Sequence, residues 1–169
     1  MEMPIVNKVA ESGLITLDLA DYLPQKEIVV FDLKEFLHMG LLLREKDFRE
    51  SMQKVEWEKY EGKFVAVFCS SDAIIPLWAY MLVATLLQPN AIKIIEGDVY
   101  QAERQITLDN IDKIDVEPYQ DARIVIKGCG DKNIPAYAFV AITEKLRPVV
   151  KSLMFGEPCS TVPIYKQKS

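Results

Sequence analysis

The sequence lacks the short motifs that identify the most common catalytic classes. Gly128-Cys129-Gly130 has no third glycine to complete a dinucleotide-binding fingerprint, and there is no lysine-containing phosphate loop and no G-x-S-x-G elbow. Neither Cys69 nor Cys129 is followed by the arginine that closes the phosphate loop of a cysteine phosphatase. The sequence therefore gives no support to dinucleotide-dependent enzymes, P-loop NTPases, serine hydrolases or cysteine phosphatases.

Basic residues are too few and too scattered to form a positively charged surface. The chain has 25 acidic and 20 basic residues, a net charge of −5. We therefore expect neither nucleic acid nor a membrane surface as a partner. The first residues show no basic segment leading into an apolar one, and three cysteines, an odd number, suit a reducing compartment. The expected location is the cytoplasm.

Long hydrophobic runs and flexible linkers are also missing. No stretch rich in Gly or Ser divides the 169 residues, so we expect a single α/β domain over residues 1–169. The longest uncharged run, residues 73–87, is shorter than the roughly 20 residues that a membrane span needs. It predicts a helix buried on nearly every side, in the core or in a homo-oligomer interface. A non-catalytic interaction module built around this helix is one possible function.

What the sequence does contain is an alternation of β-rich apolar runs and helical stretches. Near-continuous apolar strands separated by helices are typical of parallel sheets covered on both faces. The pattern therefore predicts a three-layer α/β fold with a mainly parallel sheet. An edge strand near residues 13–19 and a frayed polar tail at 166–169 complete the prediction. The four main predicted strands are residues 28–33, 64–69, 91–95 and 123–127.

Two segments, residues 63–97 and 123–156, resemble each other along their whole length. Each has the pattern of a βαβ unit, and a single one-residue gap aligns Cys69 with Cys129. The alignment makes residues 151–155 a strand instead of an extension of the preceding helix. The sequence therefore predicts two similar βαβ units in one sheet.

Four aspartates occupy matched positions and are predicted to cap helices. Asp18 and Asp32 align in a shorter echo between residues 15–23 and 29–37. Asp72 and Asp131 align near the start of the helix in each βαβ unit. Because a side-chain oxygen at this position accepts a backbone N–H, all four suit the turn from a strand into a helix.

The three cysteines each come at or just after the end of a predicted strand, and His38 follows the strand at 28–33. If the strands are parallel in one sheet, Cys69, Cys129 and Cys159 share its carboxyl edge, where ligands bind in α/β folds. Three thiolates and an imidazole form a tetrahedral set for zinc, and thiolates also hold iron–sulfur clusters. We predict a zinc or iron–sulfur site formed by Cys69, Cys129, Cys159 and His38.

Two other interpretations of the cysteines stay open. No C-x-x-C pair is present, although structural zinc sites usually have one, so Cys69 and Cys129 could be small buried residues at strand ends. Alternatively, Cys129 is the nucleophile of a thiol enzyme or a sulfur carrier. It lies between two glycines ahead of a helix N-terminus, where backbone N–H groups and the helix dipole stabilise a thiolate.

Several longer runs resemble those of a known family. They are SGLITLDLADYLP, VFDLKEFLHMGLLLREKDFRE, FCSSDAIIPLWAYM, VIKGCGD and MFGEPCSTVPIYK. These runs are similar to a bacterial family of domains of unknown function, mainly from the Bacteroidetes lineage, and the resemblance covers nearly the whole chain. It implies an association with iron–sulfur assembly proteins as partners, and it transfers no catalytic residue.

Overall fold

The computed structural model describes residues 13–128, 130 and 132–168. Strands and helices alternate through these residues, as the sequence predicts. The strands are β1 (Leu14–Leu17), β2 (Ile28–Asp32), β3 (Phe64–Phe68), β4 (Lys93–Glu96), β5 (Arg123–Lys127), β6 (Ser152–Glu157) and β7 (Ser160–Lys166). The α-helices are α1 (Glu45–Met52), α2 (Leu77–Leu87), α3 (Val99–Asp112) and α4 (Ala136–Leu146). Short 3-10 helices occupy Leu19–Tyr22, Leu33–Phe36, Trp57–Tyr60 and Glu117–Tyr119.

The strands form two sheets, with the orders β1-β5-β6-β7 and β2-β3-β4. Every pairing is parallel except the antiparallel pair β6–β7. The mainly parallel α/β class predicted from the sequence is confirmed. The expectation that both βαβ units share one sheet is wrong, because β3 and β4 lie in one sheet and β5 and β6 in the other.

The chain divides into two compact units. The central unit is Pro24–Ile106, and the terminal unit combines the residues up to Leu23 with those from Thr107 onward. Each sheet belongs to one unit. That residues 1–169 behave as a single domain remains a prediction.

The central unit has helices on both faces of its sheet, since strand residues alternate between two faces. Val65 and Val67 pack in one apolar cluster with α2, through residues such as Val83. Ala66 and Ile95 pack in a second cluster with α3. In the terminal unit, β1, β5 and β6 pack with α4 around a core that includes Ile124 and Ile142.

The internal repeat is confirmed. The unit β3-α2-β4 and the unit β5-α4-β6 start their elements at residues 64, 77 and 93 and at 123, 136 and 152, a constant difference of 59. Strand pairing keeps the same difference, with Phe64 opposite Lys93 and Arg123 opposite Ser152. Residues 152–155 form part of a strand, as the alignment requires.

The constant difference corrects the predicted one-residue gap. With 59 residues between equivalent positions, Cys69 corresponds to Gly128, and Cys129 corresponds to Ser70. The two cysteines are therefore not equivalent positions. Their identity had pulled the alignment out of register by one residue.

The predicted caps have two outcomes. Asp18 and Asp32 do cap 3-10 helices, because their Oδ1 atoms accept the backbone N–H of Ala20 and Lys34 at 2.9 Å each. The prediction for Asp72 is wrong: Pro76 is the N-cap of α2, Pro135 takes the same place in α4, and neither end has a side-chain cap hydrogen bond. Asp131 lies outside the described residues.

The apolar run at 73–87 behaves differently from its prediction. Helix α2 begins only at Leu77, and its Ala79, Val83 and Leu87 are buried while Leu77 and Met81 are exposed. Burial on nearly every side within this chain is therefore wrong. A bilayer crossing needs a longer apolar helix than any found in the described part of the chain.

Candidate functional site

A cavity of about 690 Å³ opens in the terminal unit, where β1, β5 and β6 end. Its volume lies within the range of small-molecule sites, and its place at the carboxyl ends of parallel strands is where α/β folds bind ligands. The cavity is lined by Asp18, Ala20, Lys127, Gly128, Gly130, Lys132, Asn133, Ile134, Phe139 and Phe155.

An ion pair joins two strand ends at the cavity wall. The Lys127 Nζ atom donates to Asp18 Oδ2 at 2.9 Å, and both side chains are 34% exposed. This hydrogen bond, followed by that from the Ala20 N–H, lowers the pKa of the Asp18 carboxyl, while burial opposes the shift. Lys132 lowers the same pKa further through its charge. The pair therefore stays ionised at neutral pH and fixes Lys127 at the end of β5.

The loop between β5 and α4 supplies the other polar groups. Lys132 and Asn133 both line the cavity and are exposed. The loop leads into α4, whose first-turn N–H groups receive no side-chain cap from Pro135. Since the N-terminus of a helix carries partial positive charge, two lysines and this helix end together favour a negatively charged group in the cavity.

Aromatic rings form the apolar side of the cavity. Phe139 and Phe155 meet edge to face, with ring centroids 5.6 Å apart. The Phe155 ring lies so close to Gly128 that a Cβ atom there would be 2.6 Å from the ring. A side chain at position 128 would displace this ring, which explains why glycine occupies the position.

The equivalent place in the central unit shows which features the fold itself requires. Asp32 repeats the role of Asp18: its Oδ1 accepts the N–H of Lys34 and that of Ser70 at 3.0 Å. Burial alone would raise the pKa of Asp32, but the hydrogen bonds from Ser70 and Lys34 outweigh it, and the pKa is lowered. The capping aspartate therefore belongs to the repeated fold.

The polar groups of the cavity are not repeated. At the positions 59 residues earlier, Lys127, Lys132 and Asn133 are replaced by Phe68, Ala73 and Ile74. These three polar residues are consequently not needed to build a unit of this type. Sequence reasoning missed them as site residues, although comparison of the two copies without the gap would have singled them out.

The four predicted metal ligands lie in different surroundings. Cys69 follows β3, is half-buried, and its Sγ lies 3.3 Å from Ser71 Oγ. Cys159 is exposed in the turn between β6 and β7. His38 lies in a loop, where its backbone N–H donates to the Leu42 carbonyl at 2.7 Å. Cys129 lies outside the described residues, between Gly128 and Gly130 in the sequence.

The common sheet edge that was expected to hold these ligands is not formed. Cys69 follows a strand of the central sheet, whereas Cys159 follows a strand of the terminal sheet. Within residues 13–128, 130 and 132–168, no group of three His, Cys, Asp or Glu side chains could hold a metal ion. The four-ligand site with Cys129 remains a prediction.

We expect Asp18→Asn to weaken the terminal unit in a pH-dependent manner. Asparagine keeps the helix cap but loses the ion pair, so the free energy of unfolding should fall by about 0.5–1 kcal/mol at neutral pH. The folded-state pKa of Asp18 is below its ordinary value of 3.8. The stabilisation is therefore present above that value and disappears as the pH falls through the lower, folded-state pKa. Urea titrations of both proteins from pH 2 to pH 7 measure the difference.

Asp32→Asn is the matched control, because Asp32 caps the equivalent turn while Phe68 replaces the lysine. High salt should shrink the Asp18→Asn effect and change the Asp32→Asn effect less. A pH-independent and salt-independent loss in Asp18→Asn would contradict the role of the ion pair.

Comparison with known proteins yields one match. Residues 3–167 match a family model described as a protein of unknown function, DUF2480. No curated protein and no solved structure matches the chain.

Proposed function

This chain belongs to the DUF2480 family, and from that premise we propose that its terminal unit is a thiol site, in which Cys129 reacts with a small molecule held in the cavity. One observation carries the proposal. The unit that contains Cys129 has a cavity with two lysines and an asparagine, whereas the repeated unit has apolar residues at the same positions. Both sequence neighbours of Cys129, Gly128 and Gly130, line that cavity.

The surrounding charges favour the reactive form of the thiol. A thiol is nucleophilic only as the thiolate, whose formation is promoted by nearby cations and by a helix N-terminus. Lys132 is the cation available for this role, because Lys127 is held by Asp18. Phe139 and Phe155 give the cavity a wall that excludes water, which strengthens these electrostatic effects. Asn133 supplies a side-chain amide for orienting the bound compound.

The chemical step is a displacement at an electrophilic atom of the bound compound. For a sulfur carrier, that atom is the outer sulfur of a donor persulfide. The Cys129 thiolate forms a new S–S bond to it, the S–S bond of the donor breaks, and its electron pair leaves with the donor thiolate. The result is a Cys129 persulfide. This form of the proposal agrees with the iron–sulfur assembly partners that the family resemblance implies.

We expect Cys129 to react with iodoacetamide faster than Cys69 and Cys159 at pH 7. Each unit by which the thiol pKa is lowered raises the thiolate fraction about tenfold and lowers nucleophilicity in part, a net gain of about threefold. Mass spectrometry of the labelled peptides gives the three rates in one experiment. Cys159 is the internal reference, since it is exposed yet lies outside the cavity lining. Equal rates at all three cysteines would remove the proposal.

Lys132 provides the second arm of this test. Lys132→Ala should slow the labelling of Cys129 by about threefold, if the lysine lowers the thiol pKa by one unit. Lys151→Ala makes the same change of charge at the amino end of β6, away from the cavity, and should leave the rate unchanged. Equal slowing by both variants would indicate a general effect of charge and contradict the role of Lys132.

Metal binding through Cys69, Cys129, Cys159 and His38 is the competing proposal, supported by the soft-ligand chemistry of thiolates. It predicts stoichiometric zinc or iron in protein purified without chelator, lost in both Cys69→Ser and Cys159→Ser. It also predicts that chelation increases the labelling of all three cysteines, because bound thiolates are protected. The thiol-site proposal predicts labelling of Cys129 that neither chelator nor these two substitutions change.

A further inference from the structure

An exposed apolar strip on the central unit is independent of the thiol site. It consists of Ile74, Leu77 and Met81, which are 93%, 81% and 71% exposed. Their spacing of three and four residues places Leu77 and Met81 on one face of α2 and continues that face into the preceding loop. The opposite face of the helix, with Ala79 and Val83, is buried in the core of the unit. Single exposed apolar residues are ordinary, but a contiguous set of this kind marks a contact surface.

The repeat shows that the fold does not require this strip. The equivalent positions in the terminal unit are Asn133, Ala136 and Val140, so only one large apolar residue occurs there. Helix α4 also carries Glu144 and Lys145, whereas residues 73–87 contain no charge. The difference between two helices of the same length and position points to a partner for α2 alone.

The strand beside α2 differs in the same way. Strand β4 pairs with β3 on one side, and no strand of the described residues pairs with its other side. A groove of about 320 Å³ runs between α2 and this strand, lined by Val67, Tyr80, Met81, Ala84, Ile94 and Glu96. In the terminal unit the equivalent strand, β6, is covered by β7 in antiparallel orientation. The fold itself therefore shows that an antiparallel strand fits at this position.

We propose that a second copy of this chain covers the α2 strip and the β4 edge. A two-fold axis perpendicular to the central sheet brings β4 of one copy antiparallel to β4 of the other, the relation that β7 has to β6. The same axis places both α2 helices side by side on one face of a continuous sheet with three strands from each copy. Two chains of charge −5 repel each other, and residues 73–87 offer an uncharged surface for contact.

Sedimentation velocity of the full chain tests the proposal. We expect a species with twice the 19.3 kDa mass of the chain at micromolar concentration. Met81→Glu should weaken the association by at least tenfold, since it places a charge in the interface from both copies. Val140→Glu is the matched control: Val140 is 67% exposed on α4 at the equivalent position, and its substitution should leave the dimer unchanged.

Hydrogen exchange distinguishes the strand edge from a simple helix contact. Amides of β4 should exchange faster in Met81→Glu than in the wild type, while those of β6 should not change. Both glutamate variants must keep the wild-type circular dichroism spectrum, and Leu77→Glu replaces Met81→Glu if the latter does not. A monomeric wild type, a dimer that survives both α2 substitutions, or a dimer disrupted equally by Val140→Glu would each overturn the proposal.

Discussion

Replacing Gly156 by alanine is expected to lower the free energy of unfolding by about 3 kcal/mol, from backbone strain and steric overlap together. Gly156 has φ = +126°, a conformation that side chains strongly disfavour. An added Cβ atom would lie 2.5 Å from the backbone carbonyl oxygen of Ser160. Because that oxygen belongs to the strand paired with Gly156, the chain cannot relieve the overlap by rotating a side chain.

Gly97 is the matched control for this prediction, since it is the equivalent glycine 59 residues earlier. Its φ is +128°, and the atoms that a Cβ would meet belong to the side chain of Gln101. Gln101 exchanges two hydrogen bonds of 2.9 Å with Asp98 at the start of α3. In Gly97→Ala this side chain can move at the cost of one such bond, so we expect a loss of about 2 kcal/mol.

Urea denaturation followed by circular dichroism measures both glycine variants. The order is the decisive result, because the strain at φ is common to both and the neighbouring atoms are not. A larger loss in Gly97→Ala than in Gly156→Ala would contradict the assignment of the Ser160 contact as rigid.

Replacing Phe48 by alanine is expected to lower the free energy of unfolding by about 3–5 kcal/mol, because it leaves a cavity in a fully buried site. The Phe48 ring lies 5.8 Å from Phe36 and 5.9 Å from Trp78, centroid to centroid, with edge contacts to both. Removing it deprives two aromatic rings of a neighbour. Phe155→Ala is the comparison: Phe155 is 38% exposed, so its loss should cost less.

The same variant tests whether residues 1–169 behave as a single domain. Trp57 and Trp78 both lie in the central unit, so tryptophan fluorescence reports that unit, while far-ultraviolet circular dichroism reports the whole chain. A single domain predicts that both signals shift to the same lower urea midpoint in Phe48→Ala. A circular dichroism component that keeps the wild-type midpoint would show that the terminal unit unfolds separately.

Several features of this fold could be read from the sequence because they depend on neighbouring residues. The apolar strands and the helices between them follow from local periodicity, which is set by the geometry of each element. The caps at Asp18 and Asp32 need only a backbone N–H two residues away. Similarity between residues 63–97 and 123–156 identified β6, which periodicity alone would have assigned to the preceding helix.

Strand β7 and the open face of α2 show the limits of local patterns. Residues 160–166 were not predicted as a strand, because Pro163 interrupts them and their apolar residues Val162 and Ile164 are exposed. They become a strand by pairing with β6. For α2, an apolar composition cannot say whether the chain itself or a partner covers each side, since burial depends on what packs against the helix.

The separation into two sheets and the polar cavity were decided by tertiary structure alone. Strand β1 pairs with β5 and not with the nearer β2, so Asp18 meets Lys127 across 109 residues of sequence. The cysteines were expected at one edge because local patterns place each at a strand end but do not specify which strands share a sheet. Each pattern fixes a residue relative to its own element, whereas a site depends on which distant elements pair, and that choice is made by the packing of the whole chain.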